Sequence, residues 1–509
     1  MSGKFYITTA IDYANGDPHL GHAYEKIGAD CIARYRRLRG DRVHFVIGMD
    51  EHGQKVKQAA DAAGIAPQEW VDRTADLFRS AWRDLDISNT DFIQTTEARH
   101  TRTVLELVRR IEENGHFYEG SYSGYYCVGC EAFKQERDLV EGKCPDHPTR
   151  EIRWVEEVNY FFRWSHFERQ LLDLYDAQPD FLRPTSKMNE IRNLVEGGLQ
   201  DISVSRARLP WGIPWPNDET HSIYVWFDAL INYLSATGFP DSRYSELWPA
   251  DLHVIGPDIA RFHAALWPAM LMAADIPSPK GVWSHGWMTF SGTRFSKSEG
   301  VSVTLPEAVA RHGSDPLRYF LLREVPWDAN GNFSFERYDG RYAAELADGY
   351  GNLASRVLAM VVKYRDGKIP DTADTVSLDT AGGEIIEQYS KAMDAHLLHV
   401  GGSEAWRLVS IANSFVEESA PWTLAREGNV QKLDAVLAGL TRAVARITIM
   451  AAPFMPGKAG EVWRAIGMPS SVTEARWDDL VAPQVRGLEV VKPPPLFPKV
   501  AQEHSDLGR

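Results

Sequence analysis

Phe5-Tyr-Ile-Thr-Thr-Ala-Ile11, then Asp12-Tyr-Ala-Asn-Gly-Asp-Pro18, then His19-Leu-Gly-His22: an apolar run, a turn-forming linker and two histidines that open a helix. The run predicts a strand, and Ala23–Arg39 beyond it predicts an amphipathic helix. The histidines therefore belong at the carboxyl edge of a strand, where open α/β sheets bind ligands. Three residues apart, they share one helix face, beside N–H groups that suit a phosphate. Gly21 between them leaves room for a flat base or a ribose to approach the backbone. A plainer reading has the two histidines capping the helix for stability.

The same alternation continues outward. His44–Ile47 precedes Lys55–Ala63 and Gln68–Leu85, and Asp91–Thr95 precedes Arg99–Asn114. Strands alternating with helices predict a parallel sheet with right-handed crossovers. At Gly115 the pattern breaks, and residues 117–164 become rich in Tyr, Gly, Cys and Trp, with period-two stretches such as Val158–Arg163. A small β-rich insert is expected there, followed by helical segments near Phe167–Tyr175 and Lys187–Glu196 and a rigid loop at Trp211–Pro216. Alternation resumes with strands at Ser222–Trp226, Leu252–Ile255 and Gly281–Trp287 and a helix at Ile259–Ala273. Beyond residue 337 helical spacing takes over, in Tyr342–Lys363, Glu384–Leu398, Ala405–Glu418 and Val430–Met450, which predicts a separate bundle. Val490–Pro498, with three consecutive prolines, reads as an extended tail.

The chain has 509 residues, 44% hydrophobic and 25% charged, with 39 glycines and 28 prolines, an ordinary globular composition that excludes collagen, coiled coil and disorder. No apolar run reaches the ~18–20 residues of a membrane span, and the amino terminus lacks the features of a secretory signal. A cytoplasmic protein with no membrane partner is expected. A net charge of −15 argues against indiscriminate phosphate-backbone binding, so any nucleic-acid contact must be local and shaped. Of four cysteines, three lie within residues 127–144. Cys127-Val-Gly-Cys130 and Cys144-Pro-Asp-His147 form a CxxC…CxxH set whose three thiolates and one imidazole would close a tetrahedral zinc site, structural because no position remains open. Cys31, on its amphipathic helix, reads as a small buried hydrophobe.

About 270 residues after His22 comes Arg294-Phe-Ser-Lys-Ser298, a loop whose lysine and hydroxyls suit a leaving pyrophosphate. Together, and in this order, the two motifs resemble the HIGH and KMSKS signatures of class I aminoacyl-tRNA synthetases. Tyr224-Val-Trp-Phe-Asp-Ala-Leu-Ile-Asn-Tyr233 and Gly256-Pro-Asp-Ile-Ala-Arg-Phe-His263 resemble the substrate pocket of the methionyl-tRNA synthetase family, and the likeness extends over nearly the whole chain.

That resemblance implies a Rossmann-type α/β catalytic domain at residues 1–115 and 216–290, split by a zinc-bearing connective insert at 116–215. It further implies a linking segment with the signature loop at 291–340, an α-helical anticodon-binding bundle at 341–470 and a tail at 471–509. It implies an ATP-dependent ligase that joins L-methionine to initiator and elongator tRNA(Met), with Mg2+ on ATP and one structural Zn2+. Ile11, Tyr13, Trp226, Ala229, Leu230, Tyr233, Ile259 and His263 would surround methionine, and Asp50 would hold its ammonium. An aromatic and imidazole box suits a flexible thioether, although each aromatic taken singly reads as core. His19, Gly21, His22, Gly256, Asp258, Arg294, Ser296, Lys297 and Ser298 would bind ATP, with His19, His22 and Lys297 catalytic.

Asn352, Arg356 and Trp422 match the positions that read the CAU anticodon; without the resemblance Trp422 reads as core. Arg294 stands where the family has Lys, and Pro257 where a lysine is common. A synthetase for leucine, isoleucine or valine would need a larger editing insertion than these 100 residues leave. A stand-alone nucleotidylyltransferase would not need the helical region, and intact His19, His22 and Lys297 speak against a decayed RNA-binding module. With no further domain after the bundle, a monomer is the simpler expectation.

Overall fold

The computed structural model describes the chain except residues 1–2, 128–131, 135, 137–138, 146–151, 208, 210, 291–292, 295–302, 493 and 499–509, with backbone alone at 122, 132–134, 290 and 293–294. Strand β1 (Lys4–Thr9) enters the middle of a seven-stranded sheet. The linker adds a short β2 (Asp12–Tyr13) before helix α1 (Leu20–Leu38), and the chain returns through β3 (Arg42–Asp50) and β4 (Asp91–Gln94). β3 lies beside β1, and both β2 and β4 pair with β3; Leu252–Ile255, Val282–Ser284 and Leu182–Arg183 extend the other side. Every pairing in this sheet is parallel.

Both faces of such a sheet must be covered, and successive side chains divide between them. Phe5 and Ile7 of β1 join one core with Phe45, Ile47 and α1; Tyr6 joins the other with Val46 and Ile93. The first core runs without a break into the helices after residue 337. At that junction the fully buried Arg318 pairs with Asp30 of α1 at 2.6 Å and donates to the carbonyls of Leu85, Pro453 and Phe454. Burial would raise the Asp30 carboxyl, but Arg34 and Arg318 outweigh it and hold it well below its ordinary value.

The insert is antiparallel, as its period-two pattern predicts: Phe117–Cys127 pairs along its whole length with Ile152–Phe162. Leu182–Arg183, inside the same stretch, returns to the edge of the parallel sheet. The expected strand at Ser222–Trp226 is corrected. Asp218–Ile223 belongs to a separate small sheet with Ser205–Ala207 and Pro214–Trp215, and Val225–Leu230 is a short helix. Tyr-Val-Trp-Phe has strand propensity, yet this turn is packed on nearly all sides, and packing overrides propensity there.

The helical region includes Asn352–Arg365, Ser377–Asp394, Leu398–Ser419, Pro421–Arg426, Val430–Ala451 and Pro456–Ala465. The extended end is docked rather than free: Leu496 and Phe497 are buried, and Phe497 meets the Tyr342 ring edge-on. Among the described residues, no helix is long and apolar enough to cross a membrane.

Candidate active site

His19 is the N-cap of α1, in extended backbone, and its Nδ1 accepts from the N–H groups of Gly21 (3.1 Å) and His22 (3.3 Å). An accepting Nδ1 puts the hydrogen of a neutral ring on Nε2. His22 stacks on His19, with centroids 3.6 Å apart. Capping and ligand binding are thus compatible: the cap orients an exposed ring at the carboxyl edge of β1. Gly21 has a nearer reason than the one read from sequence, since a Cβ there would meet the His19 ring at 3.0–3.1 Å. The chain beyond the second motif returns to His19. Residue 304, which caps the helix Leu305–His312, forms an antiparallel bridge with His19. Arg294 lies in a two-residue strand paired with Met288–Phe290; Ser296, Lys297 and Ser298 fall outside the described residues.

Several residues expected around methionine meet one another. The Tyr233 hydroxyl donates to His263 Nε2 at 2.6 Å, and His263 Nδ1 donates to the Ile259 carbonyl at 3.1 Å. Both bonds require one neutral tautomer, and burial lowers the His263 pKa to about 4. Burial, aided by the charges of Glu25 and Asp50, pushes the Tyr233 phenol up. Trp226 stacks flat on Phe262, 4.4 Å between centroids and 4° between planes. Ile11, Tyr13, Trp226 and Ile259 are partly buried against the core that contains Leu230 and Tyr233, while Ala229 is buried. Asp50, nearly buried, ends β3 opposite Tyr13. Phe262 carried no role in the sequence reading, although it directly precedes His263.

Two buried polar networks were not legible either. Lys26 of α1 pairs with Asp12 (2.6 Å) and Glu25 (2.9 Å) and donates to the Ala10 carbonyl (2.9 Å), gripping the segment that carries Ile11. Burial would lower the Lys26 pKa, but the two carboxylates raise it overall. Behind the aromatic pocket, Asp228 accepts from His52 Nδ1 at 2.6 Å and from His100 Nε2 at 2.7 Å. Burial would raise its pKa; the two imidazoles bring it to about 2.

Gly256 follows the strand Leu252–Ile255, and a Cβ there would lie 2.9 Å from the Asp258 carboxylate. Cys127 and Cys144 are buried; Cys130 and His147 lie outside the described residues, among which no group of three metal-binding side chains occurs. Cys31 is buried in α1, as expected. Trp422 is 42% exposed, which removes its reading as core. Asn352 is exposed, and Arg356 on the same helix pairs with Glu417 at 2.7 Å, five residues before Trp422.

Residues 5–358 match the family model described as tRNA synthetases class I (M), and residues 369–507 match that of the anticodon binding domain of methionyl tRNA ligase. The chain belongs to the methionyl-tRNA synthetase family. It is 42% identical to the methionine–tRNA ligase of Thermotoga maritima, over 98% of this chain and 80% of that one. It is 41% identical to that of Brucella suis, over 98% of each. The methionyl-tRNA synthetase of Mycobacterium tuberculosis in complex with methionyl-adenylate superposes with a TM-score of 0.93 at 38% identity, covering 98% of this chain and 100% of that one. For the free state of that synthetase the TM-score is 0.87 at 35% identity, over 98% of each chain.

Proposed function

We propose that the chain is an ATP-dependent methionine–tRNA ligase, and that the Tyr233–His263–Ile259 chain is the observation that carries methionine as its substrate. A neutral imidazole and a phenol locked in one arrangement, beside a Trp226–Phe262 stack, offer a polarisable and uncharged box to a thioether. Ile11, Tyr13, Ala229, Leu230 and Ile259 complete the box, and Asp50 takes the ammonium. His19, Gly21, His22, Gly256, Asp258 and Arg294 hold Mg-ATP together with Ser296, Lys297 and Ser298.

A methionine carboxylate oxygen attacks the α-phosphorus. The new P–O bond forms as the bond to the bridging oxygen breaks, and pyrophosphate leaves with its electron pair. His19, His22 and Lys297 stabilise charge that grows in the transition state, so they act on rate more than on substrate affinity. The terminal ribose hydroxyl of tRNA then attacks the methionyl carbonyl and AMP departs. Asn352, Arg356 and Trp422 read the CAU anticodon of initiator and elongator tRNA(Met) by hydrogen bonding and stacking.

The donor set Cys127, Cys130, Cys144 and His147, with both described thiols buried, fits a closed zinc site. Bound zinc would cross-link the insert and supply no catalytic chemistry. The division at residues 1–115, 116–215, 216–290, 291–340, 341–470 and 471–509, a monomeric state and a cytoplasmic location belong to the same reading. The test is to incubate the chain with ATP and methionine without tRNA and to analyse the bound product by mass spectrometry. Methionyl-adenylate that disappears on adding tRNA supports the function; its absence at saturating substrates refutes it.

A further inference from the structure

Two residues beyond Asp50, Trp226 and Tyr233 stand His52, Asp228 and Ser235, which one network through His100 joins. Asp228 accepts from His52 Nδ1 and His100 Nε2, and His100 Nδ1 lies 2.9 Å from Ser235 Oγ. On a helical turn an offset of two places side chains on opposite faces. Trp226 and Tyr233 therefore turn to one side, while Asp228 and Ser235 on the other are bridged by His100. His100, from the helix Ala98–Glu113, closes the network from outside the pocket segments. All four groups are buried, so no water substitutes for a lost bond. Glu51 is held separately, its N–H by Thr95 and its carbonyl by the Trp211 indole. His52 is thus a bonded link from the Asp50 segment to the pocket helix.

We propose that His52 and Asp228 are positioning residues that fix Asp50 relative to the aromatic pocket, so that the site takes the ammonium and side-chain ends of one amino acid together. The inference rests on the reading that Asp50 receives the ammonium. Charge-assisted, buried hydrogen bonds of this kind hold a binding group within its productive geometry.

Methionine Kd and the KM for ATP are measured on the full chain for Asp50→Asn, His52→Ala, His52→Asn and the double variant Asp50→Asn/His52→Ala, with thermal melting in parallel. His52→Ala is expected to raise the methionine Kd about tenfold, the scale of one charge-assisted hydrogen bond, with the KM for ATP unchanged. His52→Asn, which returns an amide N–H near the Nδ1 position, should restore most of the affinity. The double variant should bind as Asp50→Asn does, because His52 acts through Asp50.

Wild-type affinity in His52→Ala, or losses that multiply in the double variant, overturns the proposal. Wild-type affinity in Asp50→Asn overturns instead the ammonium reading beneath it. Should His52→Ala fail to fold, Asp228→Asn, which keeps the shape of the side chain, replaces it in the cycle with the same expected and contradicting results.

Discussion

Replacing Tyr233 by Phe deletes one oxygen and little else. That oxygen donates to His263 Nε2 across 2.6 Å, and both side chains are 2% exposed. With Nδ1 of His263 already committed to the Ile259 carbonyl, the variant leaves a buried acceptor with no donor. Leaving a buried polar group unsatisfied costs about 1–3 kcal/mol. A ring released from this restraint also no longer presents one fixed edge to the substrate, so the same loss should reach binding. Methionine Kd should rise by roughly 5- to 150-fold, the ratio equivalent to that range, while the KM for ATP stays within about twofold. Equilibrium titration with methionine, pyrophosphate exchange at varied ATP and a melting curve together make the assay. A variant that loses stability but binds methionine as the wild type does would refute the reasoning, because the pair would then be core alone.

Trp422→Ala should lower kcat/KM for tRNA by roughly 10–100-fold, from about 1–3 kcal/mol of base stacking, with adenylate formation unchanged; equal loss in both half-reactions and a lowered melting temperature would refute anticodon stacking. Metal analysis of chain purified without chelator should find one zinc, whose removal unfolds the insert; none or two per chain would contradict the assigned ligands. His396 supplies a pH test. Burial lowers its pKa to about 4 from an ordinary 6.5, so as pH falls through 6.5 the unfolded chain gains a proton that the folded chain refuses. Stability should therefore fall between pH 7 and 5, by about 2 kcal/mol from this residue. His396→Asn, which suits the φ of 57° at this position, should remove that part of the decline in urea unfolding; parallel curves for the two proteins would count against it.

The parallel sheet was legible because strands buried on both faces alternate with amphipathic helices, and the pairing of β1 with β3 follows from that pattern. Leu182–Arg183 was not, since two residues hold no period, and neither was the helix Val225–Leu230, whose apolar residues face neighbours on nearly every side. The resemblance pointed to Tyr233 and His263, which the fold brings together, and its exposure argues against Trp422 as core. The contact between His52 and Asp228 spans 176 residues, and that between His100 and Asp228 spans 128, so no local pattern announces either. A charged residue inside an aromatic run was the one trace of Asp228 in the sequence.

Amino-acid-dependent exchange of pyrophosphate into ATP, measured separately with each of the twenty amino acids, tests the methionine site most directly. Exchange with methionine, at a kcat/KM above that for every other amino acid, is the predicted result. Exchange driven equally well by leucine, isoleucine or valine, or exchange that needs no amino acid, would contradict it.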